Sequence, residues 1–176
     1  MLELGTKIPD FKIVNSLDQQ MYSSTKLYNN RPSLLMVICN HCPYVIHYHE
    51  ELQQLTHDYS REIDFVAISS NDVDRYPQDG PIEMKKLFVK IGLDFPYLHD
   101  ETQEVSKLLQ AECTPEFYLY DSNNALVYRG RIDASSPGKE TPITGIDLRS
   151  AIDALIQGVT VSSEQHPSMG CSIKWK

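Results

Sequence analysis

Apolar residues along the chain follow two patterns, unbroken runs and periodic repeats, and their order predicts the architecture. Residues 33–39 (SLLMVIC) form an almost unbroken apolar run, as suits a strand covered on both faces. Val45, Tyr48, Leu52, Leu55 and Tyr59 then recur at spacings of three and four, which predicts a helix with one buried stripe. Residues 63–69 (IDFVAIS) make a second buried strand. Strand, helix and strand joined this closely predict a right-handed βαβ unit with parallel pairing.

A polar loop follows at 69–80 (SSNDVDRYPQDG), then a helical pattern at 82–91 and a short extended piece at 95–98. Residues 102–110 predict another helix, with Val105, Leu108 and Leu109 on one side and Asp100 and Thr102 as caps. Strands at 116–121 (EFYLYD) and 125–131 (ALVYRGR) flank Ser122-Asn123-Asn124, a hairpin turn. A last helix spans 148–156. The predicted class is α/β: a mixed sheet, parallel first and closed by an antiparallel hairpin, with helices on both faces. Residues 1–158 form one domain, and 159–176 a tail without clear period. Met169, Ile173 and Trp175 give that tail enough apolar surface to pack on the domain.

Composition narrows the function more than the fold. The formal charge of −8 argues against a basic surface for nucleic acid. No apolar run approaches the roughly 20 residues of a membrane helix. The opening MLELGTKIPDF does not read as a signal peptide, so a cytoplasmic protein is expected. The acidic stretches DVDRYPQD and DETQEV lack the carboxylate spacing of a calcium loop and read as solvated loop and helix cap. Four cysteines are too few for a disulfide scaffold; in a reducing compartment a close pair does redox chemistry or holds metal.

That pair is Cys39-Asn40-His41-Cys42, followed by Pro43, where the first strand gives way to the first helix. Two thiols so spaced on a first helical turn can close into a disulfide with little backbone motion. The turn's unpaired amides favour a thiolate, the nucleophile of disulfide exchange. Pro43 has no amide to give the Cys39 carbonyl, so regular helix begins only after it. Either Cys39 caps a loosened first turn, or Cys42 is the cap and Pro43 the first helical residue. The first placement is preferred, because Cys39 ends the strand and should be the less covered. His41 stabilises a neighbouring thiolate as an imidazolium, or moves a proton as a neutral ring. His47 and His49, two apart, point in different directions on a helix and read as surface and edge residues.

The order of elements and this motif together resemble the thioredoxin superfamily, and most closely its alkyl hydroperoxide reductase-related (redoxin) branch. GTKIPDFKI is similar to that branch's N-terminal lead-in; CNHCPY sits where its active site does; Thr114-Pro115 matches its cis-proline; and VYRGRID matches its final strand. The segments SSNDVDRYP and FPYLHDETQEV resemble the branch's insert, and PSMGCSIKWK the tail of a bacterial subgroup. The resemblance implies a thioredoxin-like fold with an N-terminal extension and an inserted strand–helix segment. It implies that Cys39 attacks, that Cys42 resolves the mixed disulfide, and that Thr114 and Pro115 form the edge on which an extended substrate docks. It also places Cys113, two residues before Pro115, close to the pair.

Departures from the pattern matter. Ile38 stands where thioredoxin has tryptophan, Asn40-His41 replace Gly-Pro, and the position of thioredoxin's buried acid is Ser33, so that proton relay is expected to be absent. A peroxiredoxin would carry Thr or Ser three residues before its reactive cysteine; those positions are Cys39 and Met36. The favoured function is therefore a thiol–disulfide oxidoreductase without a cofactor or metal, monomeric or weakly dimeric. Its partners are a protein or small-molecule disulfide and a thiol electron donor, with no nucleic acid and no membrane. The alternatives are a thiol-dependent peroxidase helped by Arg129 or Arg131, and a copper- or zinc-handling protein using Cys39, Cys42 and a histidine. Cys171 is expected to pack near the site and to exchange with Cys113 or with the pair.

Overall fold

The computed structural model describes residues 2–176. Its main sheet contains β1 (Lys12–Asn15), β2 (Met21–Ser23), β3 (Ser33–Val37), β4 (Asp64–Ser69) and β5 (Tyr97–His99), together with β7 (Glu116–Tyr120) and β8 (Leu126–Gly130). The strand order is β2-β1-β5-β4-β3-β7-β8. β3 pairs in parallel with β4, and β4 with β5, while β7 and β8 complete the other side antiparallel. The remaining strands, β6 (Cys113–Thr114) and β9 (Cys171–Ser172), pair only with each other. The helices are α1 (Pro43–His47), α2 (His49–Asp58), α3 (Pro81–Ile91), α4 (Glu104–Leu108) and α5 (Ile146–Ile156).

The unbroken apolar runs belong to strands buried on both faces, as β3 and β7 are at every position. Leu34 and Met36 point into a core with Val45 and Leu52 of α1 and α2, Phe88 of α3 and Ile152 of α5. Leu35 and Val37 point the other way, against Ile8 and Phe11 of the N-terminal segment and Val105 of α4. Between α3 and β7 the chain inserts β5 and α4, and β5 extends the sheet beyond β4. Among the described residues no helix is long and apolar enough to cross a membrane.

Two local outcomes differ from the pattern-based expectation. The single helix predicted from Val45 to Tyr59 is broken at Tyr48, which leaves helical geometry at ψ 7°. Its buried hydroxyl donates to Asp133 Oδ1 and to the Ser135 carbonyl, both at 2.8 Å, which ties the break to the loop after β8. The helix predicted over 102–110 is confined to α4, because Gln103 is left-handed (φ 64°). Asp100 does the capping, accepting from the amides of Val105 (3.3 Å) and Ser106 (3.0 Å). The tail lacks periodicity because backbone atoms hold much of it. Arg131 N–H donates to the His166 carbonyl, Ile173 N–H to that of Glu112, and Asp72 N–H to that of Lys174.

Asp133 ties this end of the molecule together and is 2% exposed. It accepts from the Tyr48 hydroxyl and from the amides of Ser135 (2.8 Å), Thr144 (2.7 Å) and Gly145 (2.8 Å). Burial pushes its pKa up, but these donors prevail and hold it down at about 2. A depressed folded-state pKa contributes stability above the unfolded value near 4, lost as pH falls from about 4 towards about 2. Asp133→Ala should cost about 3 kcal/mol at neutral pH by leaving buried donors unpaired. Urea melts of both proteins should show the gap shrinking below about pH 4; a constant gap would contradict the assignment.

Candidate active site

β3 stops at Val37, although Ile38 N–H still reaches the Ile68 carbonyl at 2.9 Å. The chain leaves the sheet at Cys39, at the carboxyl end of the parallel strands, where open α/β sheets place their sites. Cys42 has extended backbone (φ −66°, ψ 122°) and is the N-cap of α1, with Pro43 in the first turn. Of the two placements open in the sequence, the structure adopts the one with Cys42 as cap. Pro43 explains it: proline is tolerated where no intrahelical amide is required. The structure buries both thiols, so cover does not distinguish them as expected: Cys39 is 1% exposed and Cys42 0%, because elements remote in sequence close over the pair.

Thr114 is the main contact. Its hydroxyl lies 3.4 Å from Cys39 Sγ, and its carbonyl oxygen accepts from the Cys42 thiol at 3.1 Å. The Thr114–Pro115 peptide bond is cis, and Pro115 joins β6 to β7. The neighbouring Cys39 thiol, helped by Cys171 and Thr114 and opposed by burial, holds Cys42 below the ordinary thiol range. Cys39 is pushed far above it by the neighbouring Cys42 sulfur, by burial and by the charge of Asp79. The fully protonated pair has Cys42 donating to the Thr114 carbonyl; the first ionisation favours Cys42, with Cys39 keeping its proton.

Asp79 is the residue that sequence reasoning missed. The stretch DVDRYPQD reads as solvated loop, yet Asp79 at its end is fully buried against the pair. Its Oδ1 accepts from Asn40 N–H (2.8 Å), and its Oδ2 from His41 Nδ1–H (2.7 Å) and Asn71 Nδ2–H (2.8 Å). The His41 ring stacks on Tyr76, with centroids 5.3 Å apart. Asn40 donates to the Gln78 carbonyl and accepts from the Tyr97 hydroxyl. The two residues between the cysteines are thus held by the 76–79 segment, and a carboxylate oriented on Nδ1 sets the tautomer of His41. Ser33 does not supply a buried acid, but Asp79 brings one to Cys39 from another part of the chain. No local signal marks it, since an aspartate before Gly80-Pro81 looks like an ordinary helix lead-in.

Cys39, His41 and Asp79 offer donor atoms within 4.8 Å of one another, a sulfur–nitrogen–oxygen set of the kind zinc accepts. Both Asp79 oxygens already accept hydrogen bonds, so a cation here would have to displace them. His47 instead bonds Ser135 Oγ at 3.0 Å. Arg131 pairs with Asp147 at 2.6 Å and Arg129 faces Gln165, so both arginines are engaged with the α5 and tail side of the molecule. Cys113 is partly exposed, and burial followed by the charge of Glu116 raises its pKa to about 12. Cys171 lies directly across from Thr114 in the β6–β9 pair, so the strand edge assigned to a docking substrate is filled by the protein's own tail.

Asp79→Asn removes a negative charge that disfavours the Cys39 thiolate, so the pKa of Cys39 should fall and its thiolate fraction at a given pH should rise. Ultraviolet titration of reduced Cys42→Ser protein with and without Asp79→Asn is the measurement, since Cys42 otherwise ionises first; a Cys39 curve that is unchanged or moves upward would show that Asp79 does not act on Cys39 electrostatically.

The profile of the AhpC/TSA family matches residues 4–129. No curated protein shows significant similarity to the chain. An uncharacterized conserved protein from Geobacillus kaustophilus is 46% identical, with a TM-score of 0.96 over 100% of this chain and 94% of that one. A hypothetical protein from Sinorhizobium meliloti 1021 is 36% identical, again with a TM-score of 0.96, over 100% and 96%. A putative thiol:disulfide interchange protein DsbE from Chlorobium tepidum shares the fold at 15% identity, with a TM-score of 0.67 over 89% of this chain and 99% of that one.

Proposed function

The chain belongs to the AhpC/TSA family, within the redoxin branch of the thioredoxin superfamily, and from that premise we propose that it is a thiol–disulfide oxidoreductase. A redox function of the thioredoxin-like kind comes with the family; exchange at Cys39–Cys42 is the specific activity proposed. The observation that carries the reading is that both sulfurs of the CxxC pair meet Thr114, one through its hydroxyl and one through its carbonyl, beside the cis-Pro115 bond.

In the reduced protein the Cys42 thiolate takes the proton of Cys39, and Cys39 attacks a substrate disulfide. One substrate sulfur leaves as a thiolate and the other stays bonded to Cys39. His41 has a ring nitrogen within 4.8 Å of Cys39 and is oriented by Asp79; it supplies the leaving sulfur with its proton. Cys42 then attacks Cys39 Sγ, its proton passing to the departing substrate sulfur, which closes the Cys39–Cys42 disulfide and releases the second substrate thiol. One disulfide is reduced and one formed, and a thiol donor of the reducing, cytoplasmic surroundings restores the dithiol. The engagement of Arg129 and Arg131 elsewhere favours exchange over a peroxidase reading.

Equilibration of the reduced protein with defined ratios of reduced to oxidised glutathione, read by alkylation and mass shift, tests this. A reversible two-electron couple of Cys39 and Cys42 is expected, and Cys39→Ser or Cys42→Ser should reduce turnover of a disulfide substrate to background. A pair that never closes, or closes only after metal is stripped, would overturn the proposal in favour of a metal-handling role for Cys39, His41 and Asp79.

A further inference from the structure

β9 sits on β6 as an added strand would, antiparallel, with Cys113 opposite Ser172 and Thr114 opposite Cys171. Residues directly opposite in an antiparallel pair share a face, and neighbours along a strand alternate. Thr114 turns its hydroxyl to Cys39, so Cys171 faces the pair and Cys113 faces away. Cys171 packs against the core that holds Cys39 and Cys42, directly across from the residue that meets both sulfurs. The approach is close. A Cβ on Gly170 would collide with the Thr114 carbonyl, the group that accepts from Cys42.

The chain beyond Cys171 keeps the strand in place. Ile173 is buried, Lys174 N–H donates to Asn71 Oδ1 at 2.8 Å, and Lys176 N–H donates to Gln103 Oε1 at 3.0 Å. Asn71 is also a donor to Asp79, so the tail's anchor and the orientation of His41 share one side chain.

We propose that Cys171 is a third redox cysteine, a tethered thiol that forms a disulfide with Cys42 and returns Cys39 to the free state. The proposal rests on the exchange reading above. Once a substrate disulfide has been reduced and Cys39–Cys42 closed, the Cys171 thiolate attacks Cys42 Sγ. The Cys39–Cys42 bond breaks, the Cys42–Cys171 bond forms, and Cys39 leaves as a thiolate that takes up the proton Cys171 lost. No further oxidant is consumed, because the step is an isomerisation of the disulfide already made. Cys39, beside His41, is then a free thiol again, while the tail is covalently fastened across the docking edge.

The electrostatics run in the same direction. Burial raises the Cys171 pKa to about 11, with further contributions from the neighbouring Cys42 sulfur and from its charge. The last two vanish when Cys42 enters a disulfide, so Cys171 becomes easier to ionise at the stage that requires it.

The full-length protein and its Cys39→Ser, Cys113→Ser and Cys171→Ser variants, each oxidised with glutathione disulfide, alkylated and mapped as peptides, test the proposal. Cys39→Ser should carry a Cys42–Cys171 disulfide. The unmodified sequence and Cys113→Ser should show that disulfide with Cys39 alkylated, and Cys171→Ser should hold all oxidation in Cys39–Cys42. Complete alkylation of Cys171 in every sample, with Cys39–Cys42 closing normally, would overturn the relay and leave the exchange reading intact. Failure of Cys39–Cys42 to close even in Cys171→Ser would overturn the exchange reading, and the relay with it.

Discussion

Thr114 touches both sulfurs of the cysteine pair, one through its hydroxyl and one through its carbonyl, and the rest of the site is arranged around that double contact. For it to exist, the end of β3, the start of α1 and the short strand before Pro115 must converge, although Cys39 and Thr114 are 75 residues apart. The sheet enforces this. β7 pairs antiparallel with β3 along its whole length, so the entrance of β7 lies beside the exit of β3. The backbone before Pro115 is then brought to the thiols by register.

The loop ending at Asp79 adds an electrostatic layer. A buried carboxylate is costly unless its oxygens are satisfied, and here three N–H donors from Asn40, His41 and Asn71 satisfy it. Two of those donors are the residues between the cysteines. The same charge that orients His41 also disfavours a thiolate at Cys39, so positioning and proton affinity at the site have one source. That coupling distinguishes this arrangement from one in which an acid sits beneath the pair on the preceding strand.

The tail completes the enclosure. It runs past β8, where Arg129 and Arg131 bond Gln165 and His166, and then covers the β6 edge. Unpaired strand edges recruit other chains. Filling this one from within the same molecule both protects the edge and brings a third thiol to the pair. In the proposed exchange, access by an external disulfide would therefore depend on the position of β9.

Much of the fold was legible in the order of residues because burial imposes periodicity. The unbroken runs of β3, β4 and β7 and the three-and-four repeat of α1 and α2 are consequences of facing a core. The Cys39–Cys42 spacing marks the proposed pair locally, and Pro43 narrows the first turn to two placements. What remained illegible had no local cause. The break at Tyr48 depends on Asp133 and Ser135, the burial of Cys39 on Thr114 and its neighbours, and the role of Asp79 on a loop folding back over the pair. The tail's course is set largely by backbone hydrogen bonds, which leave no pattern in the side chains. The sequence by itself determined the layers of the fold and singled out the cysteine pair proposed to react, since both follow from local pattern. Which thiol is capped, which acid faces it and which third thiol meets it were decided by tertiary structure, because each depends on groups brought together only when the sheet closes.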